Sequence, residues 1–341
     1  MNTMKAIGLT RYLPIENTES LIDLTVEKPK ANGRDLLVKV IAVSVNPVDT
    51  KVRSPKEKIE ETPKILGWDV AGIVEEAGED CSLFQPGDEV FYAGSISRQG
   101  GNSEYHLVDE RIVGHKPKTL NFAEAAALPL TSITAWEALF ERMKISQEPR
   151  ANETKSLLII GAAGGVGSIA IQLAKHAGLT VIGTASRQET VDWVTSMGAD
   201  HIVNHHEALL PQLQALGFSS VPYIFCLNAL EKHWQGISEA VSPQGVVCAI
   251  DDPKSPLNLN LLKRKSATFV WEFMFTRSLF ETEDMIEQHI LLNRIAKAVD
   301  AGTLKTTLTQ RLEPITAENL RHAHELLESN KMIGKLVLEH F

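Results

Sequence analysis

From residue 156 onward, short apolar runs alternate with segments whose apolar positions recur every three or four residues. Leu157-Leu158-Ile159-Ile160 reads as a buried parallel strand. Behind it Val166, Ile169, Ala170, Leu173, Ala174 and Ala177 fall on one helix face, and Gly178 stands where such a helix is capped. Thr180 to Gly183, His201 to Val203, Tyr223 to Leu227 and Val246 to Ile250 supply four more strands, with helical patterns such as Glu189 to Met197 between most of them. This alternation predicts an α/β domain built on a doubly wound parallel sheet.

The first 120 residues have a different texture. Leu36 to Val43, Val70 to Val74 and Glu89 to Tyr92 are short strands, separated by turns such as Ala31-Asn32-Gly33-Arg34 and Gln85-Pro86-Gly87-Asp88. They predict a compact all-β domain. Residues 278 to 341 return to mixed structure: a helix from Met285 to Asp300, an extended Thr306 to Glu313, a helix from Ala317 to Ser329 and a last strand at Leu336 to Leu338. The expected division is 1–126, 127–277 and 278–341.

Between the first α/β strand and its helix lies Gly161-Ala162-Ala163-Gly164-Gly165-Val166-Gly167. A glycine turn in a strand-turn-helix context lets backbone approach a pyrophosphate, with the helix dipole and the N–H groups of Ala163, Gly164, Gly165 and Val166 facing the anion. Ligands of such sheets bind at the carboxyl ends of the strands, which groups this turn with Ser186, Arg187, Asn204, Asn228 and Asp251. An NAD site usually has an acid at the end of the second strand to hold the ribose 2′-hydroxyl. Here that strand runs out in Gly183-Thr184-Ala185-Ser186-Arg187, with no acid before Glu189. Arg187 pairs with a 2′-phosphate and Ser186 donates to it, so the expected cofactor is NADPH; the alternative for Arg187 is a solvated surface arginine.

Composition narrows the class. The 341 residues are 43% hydrophobic and 23% charged, as in ordinary soluble globular proteins, and the net charge of −9 argues against nucleic acid or an anionic membrane as main partner. No apolar stretch is long enough to span a bilayer, and the first residues lead into a strand with no signal-peptide core. Cys81, Cys226 and Cys248 are scattered, as reduced core cysteines are. A cytoplasmic location is expected.

Gly67-Trp68-Asp69-Val70-Ala71-Gly72-Ile73-Val74, Phe84 to Val90, Gly161 to Gly167 and Gly334-Lys335-Leu336-Val337-Leu338 follow one order and spacing. In these the chain resembles the medium-chain dehydrogenase/reductase superfamily, and specifically its zinc-free quinone oxidoreductase branch. The resemblance implies a GroES-like β-barrel catalytic domain formed by both ends of the chain, a Rossmann domain between them, and a homodimer joined through Thr268 to Phe273. An exposed aromatic edge strand also favours such pairing.

The superfamily's catalytic zinc is held by two cysteines and a Gly-His-Glu histidine. The matching positions are Asn46, Trp68 and the region of Leu130-Thr131. None offers a thiolate or imidazole. The remaining histidines read as scattered surface groups: His205 and His206 as neighbours that point apart, His322 and His324 on different sides of a helix. No metal is expected. Without one, a hydride from NADPH passes into a quinone or an α,β-unsaturated carbonyl, whose charge delocalises onto an oxygen.

In the resembling branch the segment matching Ser44 to Arg53 lines the nicotinamide pocket. This implies that Asn46 donates to a cofactor or substrate oxygen and that Asp49 braces the loop, although Asn46-Pro47 is equally a common turn pair. Relatives with a tyrosine near Lys51 have a proton donor there, whereas this chain has no tyrosine between Tyr12 and Tyr92. Lys51 and Arg53 are read either as groups orienting an acceptor carbonyl or as exposed charges. Thr134 and Lys335 match cofactor-contact positions, and His205 stands at another, where relatives usually have a tyrosine after the third strand's asparagine; Thr134 is equally a helix residue with no ligand. A lysine often found past the second strand is Thr190 here, leaving its work to Arg187. The alternative functions are an enoyl-thioester reductase and an NADPH-binding regulatory or RNA-binding protein without turnover.

Overall fold

The computed structural model describes residues 3–341. Two compact units emerge, one formed by the chain up to Ile133 together with Phe275–Phe341, the other by Thr134–Met274. The strands before residue 116 are β1 (Thr3–Tyr12), β2 (Ile22–Glu27), β3 (Asp35–Ser44), β4 (Lys56–Ile65), β5 (Val70–Ala77), β6 (Glu89–Tyr92), β7 (Tyr105–Asp109) and β8 (Val113–His115). The second unit carries β9 (Ser156–Ile160), β10 (Thr180–Thr184), β11 (His201–Val203), β12 (Val221–Cys226), β13 (Val241–Ala249) and β14 (Thr268–Trp271). The chain then adds β15 (Leu308–Leu312) and β16 (Lys335–Glu339) to the first unit.

In the first unit, one sheet runs β15-β16-β3-β5-β6-β8 with β7 on β3, and a smaller sheet runs β2-β1-β4. Pairing is antiparallel apart from β15 with β16. The register Val337↔Ser44 and Leu338↔Val43 brings the C-terminal strand against β3. Ser44 Oγ donates to Leu336 O at 2.8 Å, fixing Lys335 beside the residues that leave β3.

The second unit is a six-stranded sheet in the order β11-β10-β9-β12-β13-β14, parallel throughout. Read from β9 this is the order 3-2-1-4-5-6, whose direction of growth reverses between β9 and β12. The five residues of β9 are all buried, and Leu158, Ile160, Ile182, Ile224, Val247 and Ala249 join one core with Trp234 and Ile237 of the helix Leu230–Ala240.

Four elements depart from the sequence reading. Lys56–Ile65, for which the sequence reading names no element, is a charged strand at a sheet edge, where a polar pattern blocks further pairing. Asn46-Pro47, a turn pair by composition, opens the helix Pro47–Arg53, with Asn46 at the N-cap and Pro47 at the first helical position. The expected strand Thr268 to Phe273 ends at Trp271. Finally, the helix Pro129–Trp136 continues as a π-helical turn over Glu137–Arg142, in which the two acids and Arg142 gather.

Candidate functional site

In the second unit the glycine turn is built as the sequence predicts. Gly161 has φ +86°, a conformation that side chains resist. Its N–H donates to Thr184 Oγ1 at 3.0 Å, tying the end of β9 to the end of β10. Gly167 allows close packing instead: a Cβ there would lie 2.5 Å from Ala162 O. Gly164 is the N-cap of the helix Gly165–His176 and no side chain caps it. A Cβ on Gly164 would meet nothing nearer than Gly161 O at 3.6 Å, so this glycine leaves open space in front of the helix N-terminus. Helix N–H groups without an intrahelical partner, a positive dipole end and no competing side chain suit a pyrophosphate. Ala163, Gly164, Gly165 and Val166 are partly accessible there. Asn228, exposed after β12, lies against Gly161: a Cβ on that glycine would sit 3.3 Å from Asn228 Oδ1.

At the end of β10, Ser186 and Arg187 are exposed. Arg187 is the N-cap residue of the helix Gln188–Ser196. The Thr190 hydroxyl donates to Arg187 O at 2.7 Å and accepts from Arg187 N at 3.2 Å. Thr190 therefore fixes the backbone that carries the guanidinium. No carboxylate stands between Thr184 and Arg187.

After β11, His206 N donates to Asn204 Oδ1 at 3.0 Å, an Asx turn. This turn corrects the expectation that His205 and His206 point apart: their ring centroids are 4.3 Å apart, with His233 6.4 Å from His205. Burial and the neighbouring imidazoles hold the pKa of His205 below its ordinary value. Thr134 is buried in the helix Pro129–Trp136.

The other titratable cluster of this unit was not anticipated. Glu137 and Glu272 are buried and face Arg142, whose Nε lies 2.9 Å from Glu272 Oε2 and whose Nη2 lies 3.6 Å from Glu137 Oε2. Two carboxyls share one guanidinium, so the pair retains a proton; burial first, then the charge of Glu137, push the Glu272 pKa up to about 9. An acid inside the apolar run Ala135-Trp136-Glu137-Ala138-Leu139 was the available signal.

The first unit holds a denser polar centre. Asn46 and Lys335 are buried, and Asp49 and Asp69 are fully so. Lys335 Nζ donates to Val45 O at 2.8 Å, Asn46 Oδ1 at 2.5 Å and Asp69 Oδ2 at 3.0 Å. Asn46 Nδ2 donates to Asp69 Oδ2 at 2.8 Å and to Trp68 O at 3.3 Å. Asp69 Oδ1 accepts from Leu130 N at 2.7 Å. Asp49 accepts from Asn46 N at 2.8 Å and Gly67 N at 3.0 Å, binding the helix start to the Gly67-Trp68-Asp69 turn. Burial raises the pKa of Asp49 to about 7, against the pull of these N–H groups and of Lys335. Burial likewise raises that of Asp69, opposed by Lys335, Asn46 and Leu130.

This geometry revises the reading of four residues. The Asn46 amide faces Asp69, Trp68 and Lys335 within the cluster, so it organises the loop and does not reach out to a ligand oxygen. All three N–H groups of Lys335 are engaged, so its ammonium is not turned to a cofactor. Arg53 is neither an exposed charge nor an orienting group: it is buried, donates to Leu13 O at 2.7 Å and to His324 Nδ1 at 3.3 Å, and pairs with Glu328. His324 is accordingly a core residue and not a surface one, its pKa lowered to about 3 by burial and by Arg53. Lys51 is exposed on the helix Pro47–Arg53. Asp69 was the missed member, signalled by an acid at the start of the apolar run Val70 to Val74.

Residues 32–130 match the alcohol dehydrogenase GroES-like domain family, and residues 165–288 the zinc-binding dehydrogenase family. A zinc-type alcohol dehydrogenase-like protein of Staphylococcus aureus (strain MSSA476) is 47% identical over 335 residues, covering 98% of this chain and 99% of its own. The chain belongs to the medium-chain dehydrogenase/reductase superfamily. It is an oxidoreductase of that superfamily, with a GroES-like unit and a Rossmann unit. A crystal structure of a Rhizobium etli CFN 42 protein, named after zinc-dependent alcohol dehydrogenases, has a TM-score of 0.95 at 51% identity and covers 100% of this chain and 99% of its own. The mitochondrial NAD(P)H oxidoreductase RTN4IP1 of Mus musculus is 39% identical over 303 residues, 80% of this chain and 74% of its own.

These names raise the question of zinc, and the donors do not fit it. The positions that match the superfamily's zinc ligands do meet, since Asn46 Nδ2 reaches Trp68 O and Leu130 N reaches Asp69. At their meeting point stand an amide, a carboxylate, backbone atoms and an ammonium, with no thiolate or imidazole. The Trp68 indole N–H is turned to Ser95 O at 3.2 Å. Among the described residues no group of three or more His, Cys, Asp or Glu side chains is placed to hold a metal ion. No helix among them is long and apolar enough to cross a membrane.

Proposed function

We propose that this protein is an NADPH-dependent reductase of the quinone oxidoreductase type, passing a hydride without a metal to a quinone or an α,β-unsaturated carbonyl. The observation that carries the reading is the end of β10, where exposed Ser186 and Arg187 take the place of the acid that would favour NADH. A guanidinium makes charge-assisted, bidentate bonds to a phosphate. The name of the mouse relative, an NAD(P)H oxidoreductase, agrees with a nicotinamide cofactor.

In this reading the turn from Ala163 to Val166 holds the pyrophosphate. Ser186 and Arg187 hold the 2′-phosphate, with His205 and Asn228 beside them on the same edge of the sheet. Bound NADPH supplies the hydride. Asn46, Asp49, Asp69 and Lys335 keep the segment Ser44 to Arg53 in one shape, so that what it presents to an acceptor is preorganised. Lys51, on the exposed side of that segment, orients an acceptor oxygen in this reading. The working form is a homodimer in which β14, the sheet's edge, pairs with its symmetry mate and covers Trp271 and Phe273, exposed by 47% and 45%.

Steady-state oxidation of NADPH by chelator-treated protein, against a panel of quinones, enals and enoyl thioesters, tests the reading. Turnover with quinones or enals supports it. Turnover confined to enoyl thioesters, or tight NADPH binding with no turnover, replaces it.

A further inference from the structure

We infer that Lys335 is the resident cation of the first unit's polar centre: its ammonium stands at the meeting point of Asn46, Trp68 and Leu130, and the centre's donors are committed to holding it in place of a metal ion. Three acceptors, Val45 O at 2.8 Å, Asn46 Oδ1 at 2.5 Å and Asp69 Oδ2 at 3.0 Å, match the three N–H groups of an ammonium one for one. Each is held by a further contact, as the ligands of a metal are. Asp69 also accepts from Asn46 Nδ2 on the same oxygen and from Leu130 N on the other, so both its oxygens are engaged by donors. The Asn46 amide is oriented by an ammonium on its oxygen and by acceptors on its nitrogen, which fixes its sense.

Burial makes the arrangement obligatory. Side-chain exposure is 4% for Lys335 and 0% for Asp69, so neither charge is solvated and removing one leaves the other uncompensated. Unlike a metal ion, this cation is tethered: β16 delivers it, and the pairing of β16 with β3 fixes the strand at Ser44 and Leu336. It therefore cannot be chelated or exchanged, and a divalent ion entering the centre must expel it. With its N–H groups all engaged, Lys335 is a positioning residue that joins the Asn46 loop, the Gly67-Trp68-Asp69 turn and Leu130.

The test uses the full-length protein and needs no turnover. Wild-type protein dialysed against zinc, and separately against cobalt, is expected to retain far less than one metal ion per chain. Lys335→Met should lower the melting temperature by roughly 10 °C, and Lys335→Met combined with Asp69→Asn should recover much of that loss, because the uncompensated charge is gone. Lys335→Ala should be stabilised by propylammonium, the fragment deleted, by roughly 2–4 °C. Tetramethylammonium, equal in charge but unable to donate, should do nothing at equal concentration, and neither ion should affect wild type. Stoichiometric zinc in wild type overturns the inference. So do additive effects of the two substitutions, or equal responses of Lys335→Ala to both ammonium ions. Should Lys335→Ala not fold, the metal content of wild type and the stability of the doubly substituted protein still decide.

Discussion

Gly161 N donates to Thr184 Oγ1 across 3.0 Å, so the first glycine of the phosphate turn is held by the last residue of the neighbouring strand. The link runs between the two elements that the proposed cofactor must touch at once, the turn and the end of β10. Thr184 is buried. Thr184→Val keeps the shape and removes the acceptor, leaving a part-buried N–H unpaired at a cost of about 1 kcal/mol. Calorimetry should detect that loss, and titration should find NADPH and NADH weakened by the same factor, since the turn serves the pyrophosphate common to both.

Arg187 should behave differently. A charge-assisted hydrogen bond contributes roughly 1.5–3 kcal/mol, so Arg187→Ala should weaken NADPH about 10- to 100-fold and leave NADH almost unchanged. Ser186→Asp should repel the phosphate and give NADH a ribose partner. Fluorescence titration of both cofactors into the two variants checks this. Equal weakening of both cofactors by Arg187→Ala would return the residue to an ordinary surface arginine.

The buried acids in the second unit make stability depend on pH. Glu272 holds its proton up to about 9 when folded, but only to about 4.3 when unfolded. Between those values the folded protein binds the extra proton, so stability falls as pH rises. Glu272→Gln removes the titration. Melting curves from pH 5 to pH 9 should therefore slope less steeply for the variant, with its largest relative gain at the alkaline end. Parallel slopes would mean that the pair is charged throughout.

The edge strand gives a prediction about assembly. Trp271→Lys with Phe273→Lys should convert a dimer into 37.5 kDa monomers in sedimentation at micromolar concentration. Placing charge on an edge strand is how sheets prevent pairing. A wild type that is already monomeric contradicts the assignment of β14 as the interface.

How much of this could be read from sequence follows from where the physics is local. The parallel sheet was legible because each strand and helix announces itself within a dozen residues, as Leu157 to Ile160 and Val166 to Ala177 do. The phosphate turn was legible for the same reason. The polar centre was not, because Asn46 and Lys335 are 289 residues apart in the chain and meet only through the pairing of β16 with β3. Read singly from sequence, Asn46 and Lys335 look like ligand contacts and Asp69 like an ordinary strand residue, whereas their hydrogen bonds run chiefly to one another. Arg53 and His324 were misplaced likewise: helical spacing says which residues share a face, not what covers that face.

The proposed activity is the reduction of an acceptor by NADPH without a metal. The most direct measurement is the rate of NADPH oxidation, followed at 340 nm on the cofactor's own absorbance, with a quinone and an enal as acceptors, before and after exhaustive chelation. Turnover with at least one acceptor class is expected at a rate unchanged by chelation, with much slower turnover when NADH replaces NADPH. Activity that vanishes on chelation and returns with zinc, or that runs faster with NADH, would contradict it.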